Sequence, residues 1–114
     1  MPDSRSRPSP LAGQYTRDGW HVIVARGELD LDSLPPLRTA LETAAATGSP
    51  IVVDLGAVTY VDSMALNLFL QIHHATTLRL AAPGPQVCRL FDITGADQVL
   101  DLRPTLTDAP PTAA

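Results

Sequence analysis

The run Pro50–Leu55, PIVVDL, is apolar at nearly every position and shows no polar alternation. A strand with one wet face alternates, so a run of this kind reads as a strand covered on both faces. Helical spacing flanks it. Upstream, Leu34, Leu37, Leu41 and Ala44 recur at three- and four-residue intervals in LDSLPPLRTALETAAATG. Asp32 or Ser33 can cap that helix, Pro35 and Pro36 suit its first turn, and Gly48 followed by Ser49-Pro50 ends it. Downstream, SMALNLFLQIHHA places Ala65, Leu68, Phe69 and Ile72 on one face. A covered strand between two helices is the core of a parallel α/β sheet.

The rest of the chain extends the pattern. QYTRDGWHVIVARGELD reads as a hairpin turned at Asp18-Gly19, where both residues tolerate positive φ. Trp20, Val22 and Val24 share one face of its second strand, and His21, Ile23 and Ala25 the other, which predicts a covered, central strand. TLRLAAP is a further strand. PQVCRLFDITG is a third helix with Val87, Leu90, Phe91 and Thr94 in register and Gly95 as its stop, and QVLDLRPTL is a last short strand. The expected fold is one mixed, mostly parallel sheet of about five strands with helices packed against it. Residues 1–10 and 107–114 are rich in proline and poor in large apolar groups, so they are expected to be disordered tails around a single domain at 11–106.

Composition narrows the function. The net charge is −4, and all eight basic residues are arginine. No basic face for phosphates is evident, which argues against nucleic acid. No apolar run reaches the roughly 18 residues that span a bilayer. The N-terminus lacks the apolar segment of a secretory signal, and one cysteine forms no internal disulfide, so the cytoplasm is the expected compartment. No glycine-rich phosphate loop occurs, and no cofactor or metal is expected. His73 and His74 are adjacent, so they point about 100° apart and read as a pair on the polar end of a helix. Cys88 lies beside the apolar stripe of the third helix and reads as a partly buried, inert thiol.

The junction Tyr60-Val61-Asp62-Ser63-Met64 stands where a strand becomes a helix. In an α/β sheet such junctions form sites, and a helix start offers free N–H groups and a partial positive charge. Asp62 or Ser63 can be a simple N-cap, and Asp30 and Asp32 can cap the first helix. Four segments add to this. RGELD (26–30), VVDLGAVTYVDSMAL (52–66), LRLAAPGPQV (78–87) and RLFDITGAD (89–97) occur in order and cover nearly all of the folded unit. Together they resemble the STAS domain, and within it the bacterial anti-sigma-factor antagonists.

That resemblance implies a protein-binding module rather than an enzyme. Its members dock on an anti-sigma factor, often a GHKL-type serine kinase, and so free a sigma factor for transcription. The kinase phosphorylates a Ser or Thr at the helix start and breaks the complex. The energetics are consistent: a phosphate at a helix start gains about 0.3–1 kcal/mol within the domain, whereas a charge stranded in a desolvated interface costs on the order of 3–5 kcal/mol. The resemblance places Asp30, Thr59, Tyr60, Asp62, Ser63, Met64, Ala65 and Asn67 on the partner-facing surface. It also implies a departure, because the acceptor position of the D-S-[ST]-G pattern holds Met64, and Ala65 and Asn67 replace glycines. Ser63 is the alternative acceptor, rotated by about 100°. Met64 reads either as an apolar gap-filler or as an exposed contact that no kinase can modify. The stretch QIHHATT (71–77) is about a turn shorter than the family pattern, through either a truncated helix or a tighter loop. Self-association stays open. The alternative assignment is a STAS subunit of a larger assembly, such as a bacterial lipid-trafficking ABC transporter.

Overall fold

Asp18 and Gly19 reverse the chain with φ of 53° and 85°, a turn whose twist matches that of the strands it joins. The computed structural model describes residues 9–105. The turn links β1 (Leu11–Arg17) to β2 (Trp20–Leu29). There follow α1 (Pro35–Ala46), β3 (Ile51–Val61), α2 (Ser63–Ala75), β4 (Leu78–Ala81), α3 (Pro85–Thr94), a 3₁₀ turn at Ala96–Gln98 and β5 (Asp101–Arg103). The sheet order is β1-β2-β3-β4-β5; β1 is antiparallel to β2, and the other pairs are parallel.

Strand order that always advances in one direction has a consequence. Each crossover is expected to be right-handed, so all three helices fall on the same face. The burial agrees: Leu37 and Leu41 of α1, Phe69 and Ile72 of α2, and Val87 and Phe91 of α3 join Ile23, Ile51, Val53 and Leu80 in one core. The opposite face carries a small second cluster of Trp20, Val22, Val52 and Ala81. The Arg79 guanidinium lies 4.8 Å from the centroid of the Trp20 ring and also pairs with Asp101 at 2.9 Å. Because the order never reverses, the sheet lacks the switch point at which open α/β sheets form a ligand crevice.

Several expectations need correction. β3 does not stop near Leu55. Beyond Asp54 it leaves β4 and continues beside Arg26–Leu29 of β2, with two register shifts between them. Asp54 Oδ1 does accept the Gly56 N–H at 2.9 Å, a local turn contact that the strand absorbs as a bulge. No side chain caps α1; its N-cap is Leu34, and Asp30 and Ser33 instead close a separate turn. Cys88 is exposed, because it lies off the Val87–Phe91 stripe. Thr94 is exposed and turns its hydroxyl onto the Leu90 carbonyl at 2.8 Å. Ser9 and Pro10, assigned above to a tail, are tied to β2: the Pro10 carbonyl accepts the Arg26 N–H at 2.9 Å and the Ser9 carbonyl accepts Arg26 Nε at 2.9 Å. The remaining expected tail residues, 1–8 and 107–114, and Leu106 lie outside the described residues. In the 71–77 stretch, α2 runs on to Ala75 as a helix of thirteen residues, and only Thr76 and Thr77 separate it from β4.

Candidate functional site

The ends of β2 and β3 extend past the rest of the sheet as a two-stranded tongue, and α2 starts at its tip. Asp62 holds the tip together. Its Oδ1 accepts the Ala65 N–H at 2.9 Å, as an N-cap does, and its Oδ2 accepts the Leu31 N–H at 3.1 Å from the loop after β2. Its own N–H donates to the Leu29 carbonyl at 3.0 Å. One carboxylate thus fastens the helix start to the neighbouring loop.

That loop is a closed unit. Asp30 Oδ1 accepts the Ser33 N–H at 3.0 Å, and the Ser33 hydroxyl accepts the Asp30 N–H at 3.1 Å while donating to the Glu28 carbonyl at 2.8 Å. Leu31 is pushed outward and is 60% exposed. Glu28, Asp30, Asp32 and Asp62 give this end of the molecule a negative potential.

The candidate residues divide cleanly. Ser63, Met64 and Asn67 point outward from the first turns of α2, and Met64 is 38% exposed. Ala65 is 0% exposed; it packs beneath the tip and offers no side-chain contact to a partner, which corrects its place among the candidates. Its helical position, one residue on from Met64, turns it into the core. Thr59 and Tyr60 are exposed on β3, and with Val61 they form one wall of a shallow groove of about 250 Å³. Gln86, Val87, Arg89, Leu90 and Ile93 of α3 form the other wall. Asp30 belongs to the same end of the molecule, but its carboxylate is turned into its own loop.

Sequence reasoning missed Leu31 and the α3 wall. Ile93 is 74% exposed. Its signal was present: a β-branched apolar residue between Asp92 and Thr94, off the buried stripe, has no packing reason to be apolar. Leu31, between two aspartates, carries the same signal. The histidine pair closes the far end of α2, with ring centroids 5.6 Å apart. Among the described residues, no group of three or more His, Cys, Asp or Glu side chains is placed to hold a metal ion.

The fold as a whole has known counterparts. The family model for the STAS domain matches residues 14–109. The chain belongs to the STAS family. The anti-sigma-B factor antagonist of Bacillus subtilis is 33% identical to this STAS domain over 81 residues, 67% of this chain and 74% of the relative. That of Staphylococcus epidermidis is 32% identical over 91 residues, covering 75% and 84%. The crystal structure of an anti-sigma factor antagonist from Mycobacterium paratuberculosis superposes with a TM-score of 0.77 at 31% identity, over 83% of this chain and 86% of that one. The unphosphorylated anti-sigma factor antagonist SpoIIAA superposes at 0.66 with 21% identity, over 79% and 85%, which shows the shared fold. No helix among the described residues of this STAS domain is long and apolar enough to cross a membrane.

Proposed function

We propose that this protein is an anti-sigma-factor antagonist: a cytoplasmic, non-enzymatic STAS regulator that grips an anti-sigma factor with the tip of the tongue and thereby modulates sigma-factor-dependent transcription. Its relatives carry that name. The observation that bears the reading is the exposed start of α2, where Ser63, Met64 and Asn67 face outward beside Leu31 and Tyr60. Exposed apolar groups with acidic neighbours make a docking surface for a basic, partly apolar partner face, and a GHKL-type serine kinase is the partner class. Thr59, Tyr60, Asp62 and Asp30 complete the surface, the last two chiefly by shaping it and by charge.

Met64 takes the place of the phosphoacceptor, so the contact is constitutive. A thioether offers no oxygen to phosphorylate, and it gains by being buried. Ser63 is exposed but stands about 100° round the helix from that position.

The test is calorimetric titration of the purified anti-sigma partner with wild type, Met64→Leu and Met64→Glu. Met64→Leu keeps wild-type affinity within a few-fold. Met64→Glu strands a charge in the interface and weakens binding by roughly two to four orders of magnitude. Equal binding by all three removes the tip from the interface. Incubation with kinase and ATP followed by mass spectrometry leaves the chain unmodified; phosphate on Ser63 overturns the constitutive reading. A pull-down that brings down a transporter ATPase in place of an anti-sigma factor would assign the domain to a lipid-trafficking assembly.

A further inference from the structure

We propose that the outer edge of β1 pairs with the same edge of a second copy of this chain, antiparallel about a two-fold axis at Tyr15. The inference is independent of the function proposed above.

The two sheet edges are treated differently. β5 is three residues long, and its Asp101 bridges Arg79 and Arg103; short, charged edges resist further pairing. β1 is seven residues long and, among the described residues, pairs with β2 alone. Ala12, Gln14, Tyr15 and Thr16 are exposed, and no proline or charge interrupts the strand before Arg17. A long open edge without these protections is a template for another strand.

The register is fixed by features of β1. A one-residue bulge at Ala12 bounds the regular segment: Gly13 to Arg17 pairs without interruption against Val24 to Trp20. The midpoint of that segment is Tyr15. The two-residue hairpin makes Arg17 and Trp20 a mutually hydrogen-bonded pair, and pairs alternate from there along the strand. Tyr15 therefore bonds inward to Val22, while Gln14 and Thr16 direct their N–H and C=O groups outward.

Placing the axis at Tyr15 satisfies that outward edge. Gln14 of each copy faces Thr16 of the other, giving four N–H···O bonds. The two Tyr15 side chains meet at the close, non-hydrogen-bonded site, where aromatic cross-strand pairs are favourable. Gly13 faces Arg17 of the other copy and leaves room for it. The two Arg17 side chains lie at opposite ends, each leaning on its own Asp18 at 3.9 Å, so like charges are not opposed. A pair of this length buries less than the roughly 1,200 Å² typical of stable complexes, so the dimer forms reversibly with concentration. It makes a continuous ten-stranded sheet. The antiparallel axis sends the two β2 strands in opposite directions, so both α2 starts remain free at opposite ends.

Sedimentation velocity of the full chain from about 10 µM to about 1 mM reads the association directly. The mass rises towards two chains with concentration, and Tyr15→Lys, which sets two like charges opposite each other, weakens association at least tenfold. In a Cys88→Ser background, Tyr15→Cys forms an intermolecular disulfide in air, since paired Cα atoms about 4.5 Å apart lie within disulfide reach. Gln14→Cys does not, because its own copy is offset by two residues. A chain that stays monomeric at 1 mM overturns the proposal, as does a dimer indifferent to Tyr15→Lys or cross-linked equally through Gln14→Cys.

Discussion

At the scale of the residue, Asp62 does the structural work of the tip and Ser63 does none. The Asp62 carboxylate accepts one N–H within its own helix and one from Leu31, thirty-one residues back. Loss of an N-cap costs about 1 kcal/mol, and loss of a further hydrogen bond about 0.5–1.5 kcal/mol. Asp62→Ala is therefore expected to lower the unfolding free energy by about 2 kcal/mol in urea melts. Asp62→Asn separates the two bonds. Its single oxygen can still cap Ala65, but its amide then presents a donor to the Leu31 N–H, so it loses roughly half as much. Ser63 makes no hydrogen bond through its side chain among the described residues and is exposed. Ser63→Ala should leave stability within about 0.5 kcal/mol, and an equal loss in the two variants would show that the cap is misassigned.

At the scale of the element, the tongue is the part that sequence patterning read least well. The start and end of α2 and α3, the turn at Asp18-Gly19, and the succession of strands and helices were all legible, because caps, stops and periodicity are local. The extension of β3 was not. Asp54, Leu55 and Gly56 have the chemistry of a turn, and only pairing with β2, a non-local contact, turns that chemistry into a bulge. The same limit applied to the loop before α1, where Asp30 and Ser33 were read as helix caps but close a loop of their own, bonded to each other and through Ser33 to the Glu28 carbonyl. The outward residues of the site were legible through family resemblance; the α3 wall was not, since nothing along the chain brings residue 93 to residue 60. Gly27 is where the tongue can be tested. It holds φ of +72° beside a register shift between β2 and β3, in open space. An alanine there meets no clash, so its cost is backbone strain of about 1–2 kcal/mol. Gly27→Ala should accelerate amide hydrogen exchange in Glu28–Leu29 and Tyr60–Val61 more than in Ile51–Val53; uniform acceleration would mean that the tongue is not a separable element.

At the scale of the whole molecule, the single-sided layer makes stability and recognition separable. Affinity is proposed to reside in side chains at the tip, whereas folding depends on the core between helices and sheet. Phe91 is 0% exposed and belongs to that core, whereas Met64 is 38% exposed. Truncating a buried Phe costs about 3–5 kcal/mol, a large part of the roughly 5–15 kcal/mol that a domain of this size possesses. Phe91→Ala should therefore melt well below wild type, while Met64→Glu melts with wild type and fails only in binding. Trp20 supplies the stricter check. It is the chain's one tryptophan, and it packs in the small cluster on the face away from the helices. Yet β2 places Val22 in that cluster and Ile23 in the main core, so neither face can come apart without the strand they share. If the two layers form one cooperative unit, Phe91→Ala lowers the Trp20 fluorescence midpoint and the far-ultraviolet circular dichroism midpoint by the same amount, although residue and reporter lie on opposite faces. A Trp20 transition that stayed put while the helices melted would mean that the open face holds itself together, and that the sheet does not couple its two sides.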